Sequence, residues 1–257
     1  QNIREITYDP TFSEYEQYNN NTDWRKAVTQ TGLRQNHYVS VTGGGEKASF
    51  RIGGGFDHET GTMIKQKLDR FSTRVALDYY ISERIRVSTN FALTYTKNYM
   101  NSDNLLDIAM KKMPNMGIYE QDPVTGEDTN RYYQMLQSAS SEFNPSSGKV
   151  DNQKAYVNPV ASANLAKNNR STYDLVPELV LNYRLLGMDE DHLQLNWQGS
   201  VLMSVFNQYD SSFYPAELKT VSWADGVNTA NSGNSKSVNF NTKQTLTLIP
   251  HFNNKDH

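Results

Sequence analysis

Apolar and polar side chains alternate, one by one, for about a dozen residues at a stretch, and the pattern returns several times along the chain. Phe71, Thr73, Val75, Leu77, Tyr79 and Ile81 alternate with Ser72, Arg74, Ala76, Asp78 and Tyr80. After a short turn at 82–84, Ile85, Val87, Thr89, Phe91, Leu93 and Tyr95 alternate with Arg86, Ser88, Asn90, Ala92, Thr94 and Thr96. A period of two marks a strand with two unlike faces. Soluble strands usually run to about 5–6 residues. A tilted strand that crosses a bilayer needs about 9–11. This length, repeated, is the strongest constraint on the fold.

The same alternation predicts strands near 36–43, 47–57, 69–81, 85–98, 170–185, 192–209 and 237–250. Short turns are expected at 43–46, 82–84 and 187–191, and longer connections at 57–67, 99–169 and 210–236. The Gly43-Gly44-Gly45 turn is expected to use glycine's tolerance of positive φ. Strict alternation of short and long connections is the mark of an up-and-down barrel, with all short turns at one rim. Residues 1–34 read as a loop segment leading into the sheet, with a short helix through Trp24, Ala27 and Val28. Within 99–169 a second helix is expected from Asp103 to Met113, seated by Leu105, Ile108 and Ala109. Pro114, Pro123, Pro145 and Pro159 punctuate the remainder.

Composition agrees with two-faced strands. The chain is only 37% apolar, yet it holds 16 Tyr, 10 Phe and 3 Trp among 257 residues. Its mean hydropathy of -0.72 alone would suit a disordered chain, but disordered chains are poor in aromatics. The apolar face could pack on a second sheet, as in a soluble sandwich, or meet lipid, as in a membrane barrel. Aromatics gather near the ends of the apolar stripes, at Phe71, Tyr79, Tyr95, Tyr173, Tyr183 and Tyr209, as interfacial girdles do. Arg74, Asp78, Arg86, Glu178 and Arg184 all fall on the polar face, and no charge interrupts the apolar stretches quoted. The fold class expected is therefore all-β, an antiparallel transmembrane β-barrel portion of about seven strands. No run of about 18 apolar residues offers a transmembrane helix.

Several functions are disfavoured. Net charge is -3, so there is no basic excess for nucleic acid. There is no cysteine for a disulfide or thiolate site. His37, His58, His192, His251 and His257 form no His-x-x-x-His pair, and there is no Gly-x-Ser-x-Gly elbow. Neither Gly43-Gly44-Gly45 nor Gly53-Gly54-Gly55 leads into Lys-Ser or a helix, so neither is a phosphate loop. Asp122, Glu127 and Asp128 flank Gly126 but miss the spacing of a calcium loop. No catalytic residue, cofactor or metal is expected. Tyr132, Tyr133 and Trp223 lie in long loops, where aromatics could stack on sugars, contact a partner, or hold the loop together. The lumen-facing charges are expected to pair with one another or with whatever fills the barrel.

Thr22-Asp23-Trp24 with Thr31-Gly32, and then Gln35 to Gly44, resembles the opening of the barrel in SusC/RagA-type TonB-dependent outer-membrane transporters. Lys47 to Phe56, Arg70 to Asp78, Asn158-Pro159-Val160-Ala161 and Arg170-Ser171-Thr172-Tyr173 extend the resemblance. It implies about seven strands of a barrel of about 22, in the outer membrane of a Gram-negative, Bacteroidetes-type bacterium, with the short turns periplasmic and the long loops outside. It further implies a plug and the coupling segment for TonB upstream, and further strands of the same barrel downstream. Import of oligosaccharides or peptides with a SusD-like surface lipoprotein is the implied function. A soluble glycan-binding β-sandwich and a structural envelope protein are the alternatives to that reading.

Overall fold

The computed structural model describes residues 18–122, 124–134, 153, 156–187, 193–218 and 226–251. Nine strands are present among them: β1 (Arg34–Gly44), β2 (Ala48–Thr60), β3 (Lys67–Tyr80), β4 (Ile85–Met100), β5 (Tyr119–Gln121), β6 (Asp128–Tyr132), β7 (Lys167–Leu186), β8 (Gln194–Tyr214) and β9 (Thr229–Ile249). Seven of them form one antiparallel sheet in the order β1-β2-β3-β4-β7-β8-β9. Strands β5 and β6 form a separate hairpin inside the excursion between β4 and β7. Three short helices lie outside the sheet: α1 (Trp24–Val28), α2 (Leu105–Lys111) and α3 (Pro159–Leu165).

The register aligns the alternation of each strand with that of the next. Val41 pairs with Ile52, Ile52 with Val75, Val75 with Phe91 and Phe91 with Pro177, so one face carries a continuous apolar row. One residue along, Thr42, Arg51, Ala76, Asn90 and Glu178 form a row on the opposite face. Among the described residues no second sheet covers the apolar face, as a sandwich would require. Val39 is 71% exposed and Phe240 64%. So large an uncovered apolar surface is unfavourable in water, and the described residues form one layer rather than a sandwich. No helix is long and apolar enough to cross a membrane, which says nothing about a β-barrel.

The buried core lies in the loops instead. Tyr18, Trp24, Val28, Leu105, Ala109, Met116, Val160 and Ala163 form one cluster, drawn from α1, α2, α3 and the segments beside them. A smaller cluster of Val157, Ala161 and Leu218 lies nearby. Asp103 ties this core to the sheet by accepting hydrogen bonds from the Ser162 hydroxyl and, at 3.1 Å, from the Tyr214 hydroxyl at the end of β8.

Four details depart from the sequence expectations. The helix at 103–113 is shorter, because Asn104 caps it by accepting from the Asp107 N–H. The hairpin β5–β6 and helix α3 had no counterpart in the expected pattern. Glycines 43–45 do not use positive φ; among the described glycines only Gly126 and Gly187 do. Close approach explains Gly43 instead, since a Cβ there would sit 2.7 Å from Cζ of Phe50. Finally, several strands run on past their apolar stretch. Strand β9 begins at Thr229 and pairs through Asn231 and Gly233, where no apolar face exists. Strand β3 begins at Lys67 and β4 continues through Lys97, so charges do stand on the apolar-face register at this rim.

Candidate functional site

The polar face holds the five charged residues expected to line a lumen. Arg86 donates to Asp78 through Nη2 at 2.9 Å and Nε at 3.2 Å, and the Ser88 hydroxyl donates to the same carboxylate oxygen. The Arg86 guanidinium also lies 5.3 Å from the centre of the Tyr80 ring. Glu178 accepts a 3.1 Å bond from the Asn90 amide, its cross-strand neighbour. Arg74 pairs in register with Gly53 and Ala92, and makes no ion pair among the described residues. Arg184 anchors the short-turn rim by its backbone N–H, which donates to the Arg84 carbonyl at 2.9 Å. The structure thus brings Asp78 and Arg86 together and spreads the other three over the wall.

The loop aromatics are built into the core region. Tyr132 stacks on Tyr119 across the β5–β6 hairpin, with ring centroids 5.2 Å apart. Burial holds its phenol above the ordinary pKa. Tyr133 meets Tyr18 edge-on at 6.2 Å and donates to its hydroxyl at 3.2 Å. Trp223 lies outside the described residues. No group of three His, Asp or Glu able to hold a metal occurs among the described residues.

Two of the motifs that carry the family resemblance, Thr22-Asp23-Trp24 and Asn158-Pro159-Val160-Ala161, prove to be loop fasteners. Asp23 caps α1 by accepting from the Lys26 N–H at 3.0 Å. Thr22 donates to the Met116 carbonyl at 2.7 Å and Trp24 to the Met113 carbonyl at 2.9 Å, some ninety residues away. Asn158, 1% exposed, satisfies its whole amide. Its oxygen accepts from the N–H groups of Val160 and Ala161, capping α3 with Pro159 at the first turn. Its NH2 donates to the carbonyls of Ile118 and Tyr133. The sequence signal for this helix is the Asn-Pro pair before Val and Ala, which suits the cap and first turn of a helix.

Aromatic rings bound the apolar face. Phe56, Phe71, Tyr95 and Tyr173 share one cross-strand row toward the long-loop rim, and the Tyr95 and Tyr173 rings are 4.5 Å apart. Tyr183 and Trp197 face each other toward the short-turn rim. Ten residues separate Tyr173 from Tyr183, about 33 Å along a strand and about 25 Å along the membrane normal at a tilt of about 40°. That is the height of the apolar band on an outer-membrane barrel. A one-layer antiparallel sheet, apolar on one face and ringed by aromatics at both ends, is a segment of the wall of a transmembrane β-barrel.

Comparison with known proteins narrows the type. No family model matches the chain. It is 24% identical over 167 residues to the TonB-dependent receptor SusC of Bacteroides thetaiotaomicron, covering 64% of this chain and 16% of that protein. It is 25% identical over 166 residues to the TonB-dependent receptor P3 of Formosa agariphila, covering 58% of this chain and 17% of that one. Among solved structures, the RagAB peptide importer in its closed-closed state superimposes with a TM-score of 0.51 at 18% identity, over 87% of this chain and 23% of that one. The RagAB peptide transporter gives 0.52 at 15% identity. The chain thus spans about a sixth of the curated relatives, is similar in sequence to part of SusC-type TonB-dependent receptors, and has the barrel-wall fold found in RagAB.

Proposed function

We propose that this chain is part of the wall of a TonB-dependent nutrient importer in the outer membrane of a Gram-negative bacterium. Its cargo is an oligosaccharide or a peptide, received from a surface lipoprotein of the SusD kind. TonB acts through a plug held inside the barrel, and the remaining strands of the barrel pair with β1 and β9. The chain itself performs no catalysis; its inward polar face lines the path, and its outward face meets lipid. The observation that carries this reading is the uncovered apolar face of a sheet whose fold matches the RagAB wall.

The full-length protein that contains this wall can be tested in cells. Deleting its gene together with that of the neighbouring lipoprotein should abolish growth or uptake on at least one member of a panel of glycans and peptides. Plasmid-borne wild type should restore it. Unchanged uptake across the whole panel would overturn the importer reading.

A further inference from the structure

The charges on the two faces of the sheet are sorted by sign and by type. On the register that carries Val75 and Phe91, every Lys, Arg, Asp or Glu among the described strand residues lies at or beyond the aromatic row of Phe71, Tyr95 and Tyr173. They are Lys67, Lys97, Lys167 and Lys236, against a single carboxylate, Asp69. On the inward register at the same level, Arg34, Arg70 and Arg170 stand with Asp57, Glu59 and Asp210. There the charges balance, and Arg170 pairs with Asp210 at 2.6 Å.

The outward excess is also crowded. The ammonium groups of Lys67 and Lys97 lie 4.4 and 5.0 Å from the centre of one ring, Tyr99. Asp69 is shared between Lys67, at 3.5 Å, and His58, at 2.6 Å. Lys65 and Lys167 make no ion pair among the described residues, and they line, with Lys67 and Tyr99, an open cavity of about 570 Å³. Residues 69 and 67 stand two and four positions beyond Phe71, about 7 and 13 Å along the strand. At a tilt of about 40° these are about 5 and 10 Å along the membrane normal, within and just above a headgroup layer that extends about 5–7 Å beyond the hydrocarbon on each side. Lysine stems can lie along the rings while the ammonium reaches the anions of that layer.

We infer that Lys65, Lys67, Lys97 and Lys167, around Tyr99, form a binding site on the outward rim for the phosphate of a membrane lipid headgroup. The inference rests on the reading of this sheet as a membrane wall. Its ligand is a lipid phosphomonoester, not free phosphate, because the cations stand directly above the apolar face that would hold the acyl chains.

The full-length protein, purified in phosphatidylcholine nanodiscs, can be titrated with phosphatidic acid and analysed by native mass spectrometry. Phosphatidic acid should be retained roughly tenfold or more over phosphatidylcholine, given the attraction of several lysines to one anionic surface. K67Q/K97Q/K167Q should lose this preference, while the inward variant R170Q keeps it. Heat-modifiable migration on gels reports barrel assembly independently. If the wild type lacks that migration, the membrane-wall reading fails; if it migrates as a barrel but shows no preference, the lipid site alone fails. A preference surviving the triple variant, or displaced fully by inorganic phosphate, would also overturn the site. Should the triple variant not assemble, K67Q and K97Q singly must each reduce retention.

Discussion

Val75 and Ser72 lie on the same strand, three residues apart, yet they face different media. Val75 continues the row of Ile52 and Phe91, whereas Ser72 lies between Gly55 and Thr94 on the polar face. An arginine facing lipid near the midplane costs about 2–4 kcal/mol. Val75→Arg is therefore expected to reduce the heat-modifiable, assembled fraction strongly, while Ser72→Arg leaves it near wild type; equal losses would refute the assignment of faces. Lys112 poses a different problem, because it is 7% exposed in the loop core. Burial lowers its pKa from 10.5 to about 8. The unfolded chain therefore binds more protons between about pH 8 and 10.5, and the loop core should gain stability as pH rises through that window. Below about pH 8 the buried ammonium costs about 3 kcal/mol, from roughly 2.5 pKa units at 1.36 kcal/mol each. Lys112→Met should remove the pH dependence of the hydrogen-exchange protection factors in α2 and raise them at pH 7.

Helix α3 depends on one side chain more than on its own seven residues. Asn158→Ala would remove a cap worth about 1 kcal/mol and strand two carbonyls at about 1–3 kcal/mol each. Faster hydrogen exchange should follow at Ile118, Tyr133 and α3, with β7 unaffected. This element also marks where the sequence ceased to be legible. Strands β3 and β4 could be read because lipid imposes an apolar residue at every second position. The start of β9 could not, since at Asn231 to Ser235 both faces are polar while the backbone ladder runs on. The charges at the outer rim escaped for the same reason: the alternation ends with the lipid, not with the strand. Pro177 lies on β7, between two other strands, where proline is unusual. The β7–β8 ladder is interrupted there, between the pairs Leu175 with Val205 and Glu178 with Leu202, as a residue without an N–H requires. The charged lumen residues were legible as to face, whereas the pairing of Asp78 with Arg86 depends on register rather than on composition.

The sheet as a unit predicts its own orientation. The chain contains no cysteine, so this part of the wall takes up a thiol label only where a residue has been replaced. Glu127→Cys, in the β5–β6 hairpin, should react with an impermeant maleimide on intact cells; Glu83→Cys, in the β3–β4 turn, should react only after the outer membrane is opened. The reverse pattern would invert the assigned topology. Strands β8 and β9 each have 21 residues, about 70 Å along the chain, so much of the wall stands clear of a hydrocarbon layer of about 30 Å. The packed cluster of Trp24, Leu105 and Met116 belongs to that emergent part, whereas the sheet has its apolar surface turned outward. The protein is thus held together by two different solvents. Melting the cluster exposes oil to water and carries a positive heat-capacity change; taking the wall apart within lipid does not. A calorimeter should therefore record two transitions, of which only the one from the loops curves with temperature and yields first to urea.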